Sequence, residues 1–321
     1  MTTPKSTNPR SLGLLEATSL SAAELADRMG MAMNRGRWKT LCPTVTIRED
    51  GPSSRRQASD EPGLTSAARG KLARQLKAQG YFHAPALLSP AVIENLREAG
   101  MRLKAAGWPL IFLAAFDEFW SLWQHDGLQD LLRECLGPGY SMRPRIWCYY
   151  VHPIRGARGW PPHADEFGAA GMSLWIPLNG ATVENGCMYV IPKDVVRSEI
   201  ELRQIFESSE IPVAVATELL HCARAVPAAP GSVLGWTFDT LHWGGVAQDD
   251  MEPRISVSAE FLPGDGAGDV GLPRWRPTDG IPSFDDRLRI VAENLQRFAP
   301  NDASTFRYAQ LGAALAEALT R

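Results

Sequence analysis

The sequence predicts a fold that is mostly β with flanking helices, and three observations carry that prediction. Helical periodicity fills much of the stretch from Ser66 to Leu136. Short alternating strands then run from Pro144 to Phe261, and the tail returns to helix from Ser283. Strands gathered into one block between blocks of helix do not suit a doubly wound sheet, where the two alternate along the chain; they suit a β-core with helices packed outside.

Taken in order, residues 1–62 are rich in Ser, Thr, Pro, Gly and Arg and read as a partly ordered extension. They hold one helix-like stretch, Ser21 to Met33, with Ser21 as its cap, and a linker at Ser53 to Pro62. A single domain is expected over 63–321. Leu72 and Leu76, four apart, mark a helix over Ser66 to Gln79 that Gly80 closes. Tyr81 to Leu88 reads as a strand. Ser89-Pro90 is an N-cap followed by proline at the first helical position, opening a helix to Ala106; another runs from Gly127 to Leu136. Five strands follow: Arg145–His152, Met172–Leu178, Met188–Ile191, Ser232–Thr237 and Arg254–Phe261. Helices at Ser283–Phe298 and Ala303–Leu319 close the chain.

The bulk properties exclude several classes. With 45% hydrophobic and 21% charged residues the composition is that of a soluble globular protein, and a net charge of −3 offers no field for nucleic acid or an anionic membrane. No apolar run reaches transmembrane length. Five scattered cysteines, without a C-x-x-C pair, argue against a disulfide framework or zinc site and for a reducing, cytoplasmic setting. No phosphate-binding loop, dinucleotide fingerprint or G-x-S-x-G elbow occurs.

The chemistry concentrates in His163-Ala164-Asp165 and, far downstream, His242. Two histidines and one carboxylate on one face of a metal leave the opposite positions open, which suits a non-heme Fe(II) that binds O2 and a co-substrate. On a strand, residues i and i+2 point the same way, so His163 and Asp165 could clamp one ion while His242 arrives from another strand. Taken alone, the motif equally fits a surface histidine beside a solvated aspartate. Arg254 to Phe261 alternates, with Arg254, Ser256, Ser258 and Glu260 on one face; that face either meets solvent or lines a cavity. In a cavity, Arg254 would bind a carboxylate through paired hydrogen bonds. Met172 to Leu178 also alternates, setting Trp175 with Ser173 and Pro177, and Pro177 predicts an edge or bulge near that strand's end.

The order of these motifs becomes a resemblance. His163-x-Asp165, Leu174-Trp175-Ile176-Pro177-Leu178, Glu184-Asn185-Gly186 to Pro192, Gly231-Ser232-Val233, His242 and Arg254-x-Ser256 together resemble the phytanoyl-CoA dioxygenase family, over roughly Leu64 to Pro263. The resemblance implies a double-stranded β-helix (jelly-roll) core and an Fe(II)- and 2-oxoglutarate-dependent dioxygenase that hydroxylates or otherwise oxidises a small molecule with O2. It assigns iron to His163, Asp165 and His242. It assigns the distal carboxylate of 2-oxoglutarate to Arg254, with Trp175 and Ser256 beside it, and a close backbone approach to Gly244-Gly245.

Two departures from the family pattern stand out. Pro192-Lys193-Asp194-Val195 replaces the usual Pro-Gly-Ser-His near the substrate entrance, and the interval from His242 to Arg254 is one residue longer, a length the loop Gln248 to Pro253 absorbs. One of Tyr149 or Tyr150 is expected in the pocket, and His152 could face it. Trp108, Trp120, Trp123 and Trp160 are either aromatic walls or core. A non-catalytic binding protein on the same fold, and a protein-hydroxylating relative, remain the competing readings.

Overall fold

The computed structural model describes residues 19–48, 63–195, 213–264, 274–299, 302 and 305–320. The expected linker at Ser53 to Pro62 lies outside the described residues.

Two antiparallel sheets hold the strands. The larger contains β1 (Tyr81–Ala84), β2 (Ser141–Val151), β3 (Met172–Pro177), β6 (Val233–Thr237) and β8 (Arg254–Leu262), in the order β1-β6-β3-β8-β2. The smaller contains β4 (Met188–Val190), β5 (Arg224–Val226) and β7 (His242–Gly244), in the order β5-β4-β7. The predicted strands fall on β1, β2, β3, β4, β6 and β8 with shifted ends. Three-residue strands such as β5 and β7 are too short to display alternation. β3 pairs with β8 from Met172 to Pro177 but with β6 only from Met172 to Trp175, so its end at Pro177 has one neighbouring strand, the local edge expected there.

Nine α-helices surround the sheets: α1 (Ala22–Ala32), α2 (Arg35–Leu41), α3 (Ser66–Gln79), α4 (Pro90–Ala105), α5 (Asp117–Trp123), α6 (Asp126–Leu136), α7 (Val213–Cys222), α8 (Phe284–Phe298) and α9 (Ala309–Thr320), counted among the described residues. Helical residues outnumber strand residues, so the architecture is mixed α and β rather than mostly β. The expected helices already outnumbered the expected strands in residues, so the label gave the β-core too much weight; the buried 3-10 segment Leu110–Ala115 and the seven-residue α5, which present no one-sided stripe, add further to the helical side. None of these helices is long and apolar enough to cross a membrane.

Local signals and packing agree elsewhere. Ser21 caps α1 in a full capping box, and Gly80 ends α3 at φ 78°, a left-handed conformation that glycine adopts without strain. Within the segment expected as an extension, Trp38 is fully buried against Trp108 (4.8 Å), Phe112 (5.3 Å) and Phe116 (6.1 Å), and its indole donates to the Ala32 carbonyl at 2.9 Å. Leu20, Cys42, Val45 and Ile47 join the same core.

Two polar ties bind the C-terminal helices to the rest. Arg287 on α8 pairs with Asp117 at 2.6 Å, both nearly inaccessible, and also donates to the carbonyls of Pro282 and Ala115. Asn294 repairs a break in the β2–β8 ladder. The register shifts between Met142 and Ile146, around Pro144, which has no N–H to donate. Asn294 Oδ1 accepts from Ile146 N at 3.1 Å, and its Nδ2 donates to the Pro144 carbonyl at 2.7 Å.

Trp38→Ala is expected to remove about 3–5 kcal/mol of unfolding free energy, the usual cost of deleting a buried aromatic side chain. Denaturant titration measures it; a loss under about 1 kcal/mol would mean that residues 19–48 merely lie on the surface.

Candidate active site

The smaller sheet and a loop bring the three expected metal ligands together. His163, Asp165 and His242 place one donor atom each within 4.8 Å of one another, and Asp165 Oδ1 lies 3.7 Å from Nε2 of both histidines. His242 sits on β7. His163 and Asp165 do not sit on a strand as expected: His163 forms a single antiparallel bridge to His242, with backbone bonds of 3.0 and 2.9 Å, and Asp165 follows in a bend. The preceding Pro161-Pro162 offers no N–H with which a ladder could continue.

Both imidazoles are held in the orientation a metal requires. His163 Nδ1 lies 2.7 Å from the Pro161 carbonyl and His242 Nδ1 lies 3.0 Å from the Thr240 carbonyl, so each Nδ1–H donates to backbone and each Nε2 lone pair faces Asp165. Burial pushes the pKa of His242 down to about 4, the Asp165 charge opposing and His163 reinforcing the shift, so its lone pair is free at neutral pH. The second oxygen of Asp165, Oδ2, is committed elsewhere: it accepts from Ser173 Oγ at 2.6 Å and from Trp236 Nε1 at 2.8 Å. Only Oδ1 is left for a metal. A carboxylate oxygen and two imidazole Nε2 atoms converging on one point suit a divalent cation.

A cavity of about 280 Å³ adjoins this cluster, and the polar face of β8 (Arg254, Ser256, Ser258, Glu260) lines it. Arg254 is 2% exposed, and among the described residues no carboxylate pairs with it. Its Nη1 donates to the Gly186 carbonyl, its guanidinium lies 5.7 Å from the Trp175 ring, and its Nε has no partner. Burial lowers its pKa to about 10, which leaves it charged at neutral pH. An uncompensated buried charge costs several kcal/mol, so this end of the cavity is matched to an anion. Ser256 Oγ, two residues along, is buried without a partner as well. The guanidinium fits because its neighbours lack side chains: a Cβ on Gly159 would lie 2.8 Å from Nη2, and one on Gly244 3.2 Å from Nη1.

The remaining expectations divide. Trp175, Ser256, Tyr149 and Trp160 line the cavity. Tyr150 does not; it faces Lys104 and the His152 ring, and His152 is outside the cavity with it. Trp108, Trp120 and Trp123 are core. Lys193 pairs with Asp239 and Asp194 accepts from Gln79, so neither lines the cavity. The longer loop before Arg254 folds as a turn, with Asp250 at φ 60° and Asp249 accepting from Arg155 N at 2.7 Å.

Sequence reading missed Trp236, Trp147 and Phe298. Trp236 lies on a strand that was legible, but only its paired neighbours reveal which face meets Asp165; Phe298 comes from a helix more than 130 residues after His163.

Ser173→Ala and Trp236→Phe should each weaken Fe(II) or Co(II) binding by about 10- to 100-fold without unfolding the protein, because each frees Asp165 to rotate. Metal titration monitored alongside thermal melting tests this; unchanged affinity in both variants would mean the two donors do not hold the carboxylate.

Residues 112–247 match the family model described as Phytanoyl-CoA dioxygenase (PhyH). No curated protein sequence matches the chain. Among solved structures, the non-heme alpha ketoglutarate dependent epimerase SnoN from nogalamycin biosynthesis is 19% identical with a TM-score of 0.52, covering 66% of this chain and 94% of its own. SnoN in complex with Fe3+, alpha ketoglutarate and nogalamycin RO aligns with the same TM-score and identity, over 68% of this chain and 96% of that one. The non-heme monooxygenase ThoJ, as its Ni complex, is 15% identical with a TM-score of 0.51, covering 75% of this chain and 99% of its own. These likenesses establish a shared fold. Over residues 112–247 the chain is similar to the phytanoyl-CoA dioxygenase family.

Proposed function

We propose that this protein is an Fe(II)- and 2-oxoglutarate-dependent dioxygenase acting on a small molecule, built on residues 63–321 as one domain whose two sheets form a double-stranded β-helix and onto whose core residues 19–48 pack. The observation that carries the reading is the pairing, in one cavity, of a two-histidine, one-carboxylate cluster with a buried arginine that has no counter-ion. The complex of SnoN with Fe3+ and alpha ketoglutarate supports it from the same fold.

His163, Asp165 and His242 would hold the iron. Arg254 would bind the distal carboxylate of 2-oxoglutarate, with Ser256 Oγ as a further donor and the Trp175 ring as a flank. When bound, iron and 2-oxoglutarate supply the oxidising chemistry: O2 delivers one oxygen atom to succinate as CO2 leaves and the other to a substrate C–H bond. The chain's own contribution is orientation and exclusion of water. Ser173 and Trp236 keep Asp165 on a single oxygen, which leaves neighbouring positions open for a chelating co-substrate and O2. The apolar rings around the cavity keep bulk water from the reacting centre.

Asp165 also bears on the outcome. Asp165 would supply an oxygen ligand where a halide would otherwise bind the metal, so hydroxylation or a related oxidation is expected rather than halogen transfer.

Anaerobic addition of Fe(II) and 2-oxoglutarate should produce the weak visible charge-transfer band of an iron-chelated 2-oxoacid, and His242→Ala should abolish it. Arg254→Ala should retain iron but weaken 2-oxoglutarate binding tenfold or far more, since breaking a sheltered ion pair costs on the order of 2–5 kcal/mol. A wild-type protein that binds neither iron nor 2-oxoglutarate would end the enzymatic reading.

A further inference from the structure

The two ends of the β8 face differ in charge balance. Arg254 and Glu260 are six residues apart on one strand, roughly 20 Å at the usual rise. At the Arg254 end a cation is buried without a carboxylate. At the Glu260 end every charge has a partner. Arg145 lies 3.2 Å from Glu166 and 3.7 Å from Glu260; Arg143 lies 2.9 and 3.2 Å from the same two carboxylates. Arg297, at the rim, pairs with Glu293 at 3.1 Å. A charged group arriving here would have to break pairs already made, whereas an uncharged one would not.

The wall beside this end is aromatic. Trp147, Trp160 and Phe298 touch one another, with ring centroids 6.4 Å (Trp147–Trp160), 5.2 Å (Trp147–Phe298) and 5.3 Å (Trp160–Phe298) apart, and Trp160 also lies 5.4 Å from the His163 ring. The wall therefore begins at the metal ligands. Trp147 Nε1 and Trp160 Nε1 are both buried without an acceptor. Buried indole N–H groups ordinarily find one, and these two, on residues that line the cavity, have none among the described residues.

We propose that this wall is the substrate subsite, and that it takes an uncharged ring compound, aromatic or alicyclic, carrying a hydroxyl or carbonyl oxygen that accepts from the indole donors. The ring stacks or packs on Trp147, Trp160 and Phe298, and the oxygen sets which carbon faces the metal. A substrate carrying phosphates, such as a CoA thioester, is disfavoured because the described cations at this end are already paired. The assignment rests on the oxygenase reading for its direction toward the iron, but not for the binding site itself.

The test measures calorimetric binding of 2-naphthol, naphthalene, 2-naphthoate and coenzyme A to the full chain, with and without Fe(II) and 2-oxoglutarate, under anaerobic conditions. The expected result is that 2-naphthol binds at least tenfold tighter than 2-naphthoate and that coenzyme A does not compete. Phe298→Ala should weaken 2-naphthol tenfold or more while 2-oxoglutarate affinity stays within twofold. Trp147→Phe and Trp160→Phe, which keep a ring and remove the donor, should erase the preference for 2-naphthol over naphthalene. No binding of 2-naphthol, equal or tighter binding of 2-naphthoate, competition by coenzyme A, or indifference to all three substitutions would overturn the subsite. Failure of the charge-transfer band with these ligand preferences intact would instead overturn the oxygenase reading and leave the subsite standing.

Discussion

Asp165 accepts Ser173 from β3 and Trp236 from β6 on one oxygen, and turns the other toward two histidines supplied by a loop and by β7. That single carboxylate joins the two sheets chemically. β3 and β6 are adjacent strands of the larger sheet, so their spacing fixes where the two donors stand and hence where Oδ1 points. Trp236 does more than donate: its ring lies 4.3 Å from the His242 ring, so one side chain restrains two ligands. A metal site that relied on the loop alone would inherit the loop's freedom. Here the loop is also anchored on its far side, where Glu166 reaches Arg143 and Arg145 on β2.

The same strand serves opposite electrostatic purposes along its length. β8 alternates strictly, so its polar residues all face the cavity, but the environment of each differs. Arg254 is buried with its charge uncompensated, a costly arrangement that a bound anion relieves. Glu260, six residues on, sits in a balanced cluster of two arginines and two carboxylates. On the proposed reading, an anionic co-substrate would be drawn to one end and an uncharged substrate favoured at the other.

Much of this was legible because it rests on local rules. Capping at Ser21, the Gly80 stop and the alternation of Arg254 to Phe261 are set by near neighbours in the chain. Spacing and order brought forward His163, Asp165, His242 and Arg254, which line one cavity, but not their setting: a strand was expected under His163 and Asp165 where the chain forms a bridged loop. Contacts fixed by tertiary packing were not legible. Nothing near Trp236 in sequence mentions Asp165. Leu110–Ala115 was not legible as an element because it is apolar on every side, and periodicity registers only contrast.

The distance in sequence between Phe298 and the metal ligands says how the cavity wall is held. Phe298 is the last residue of α8, and a helix end frays unless something fixes it. One turn earlier, Asn294 fills the gap in the β2–β8 ladder left by Pro144, with three hydrogen bonds that include one to its own helix at the Ile290 carbonyl. The irregularity in β2 is therefore the attachment point of the helix. Replacing Pro144 and closing the ladder would remove both the seat of Asn294 and the local twist. The helix would then lose its register against β2, and the Phe298 ring would leave Trp147 and Trp160. In this architecture the regular part of the sheet sets the polar face of the cavity, and a defect in the sheet holds its aromatic wall.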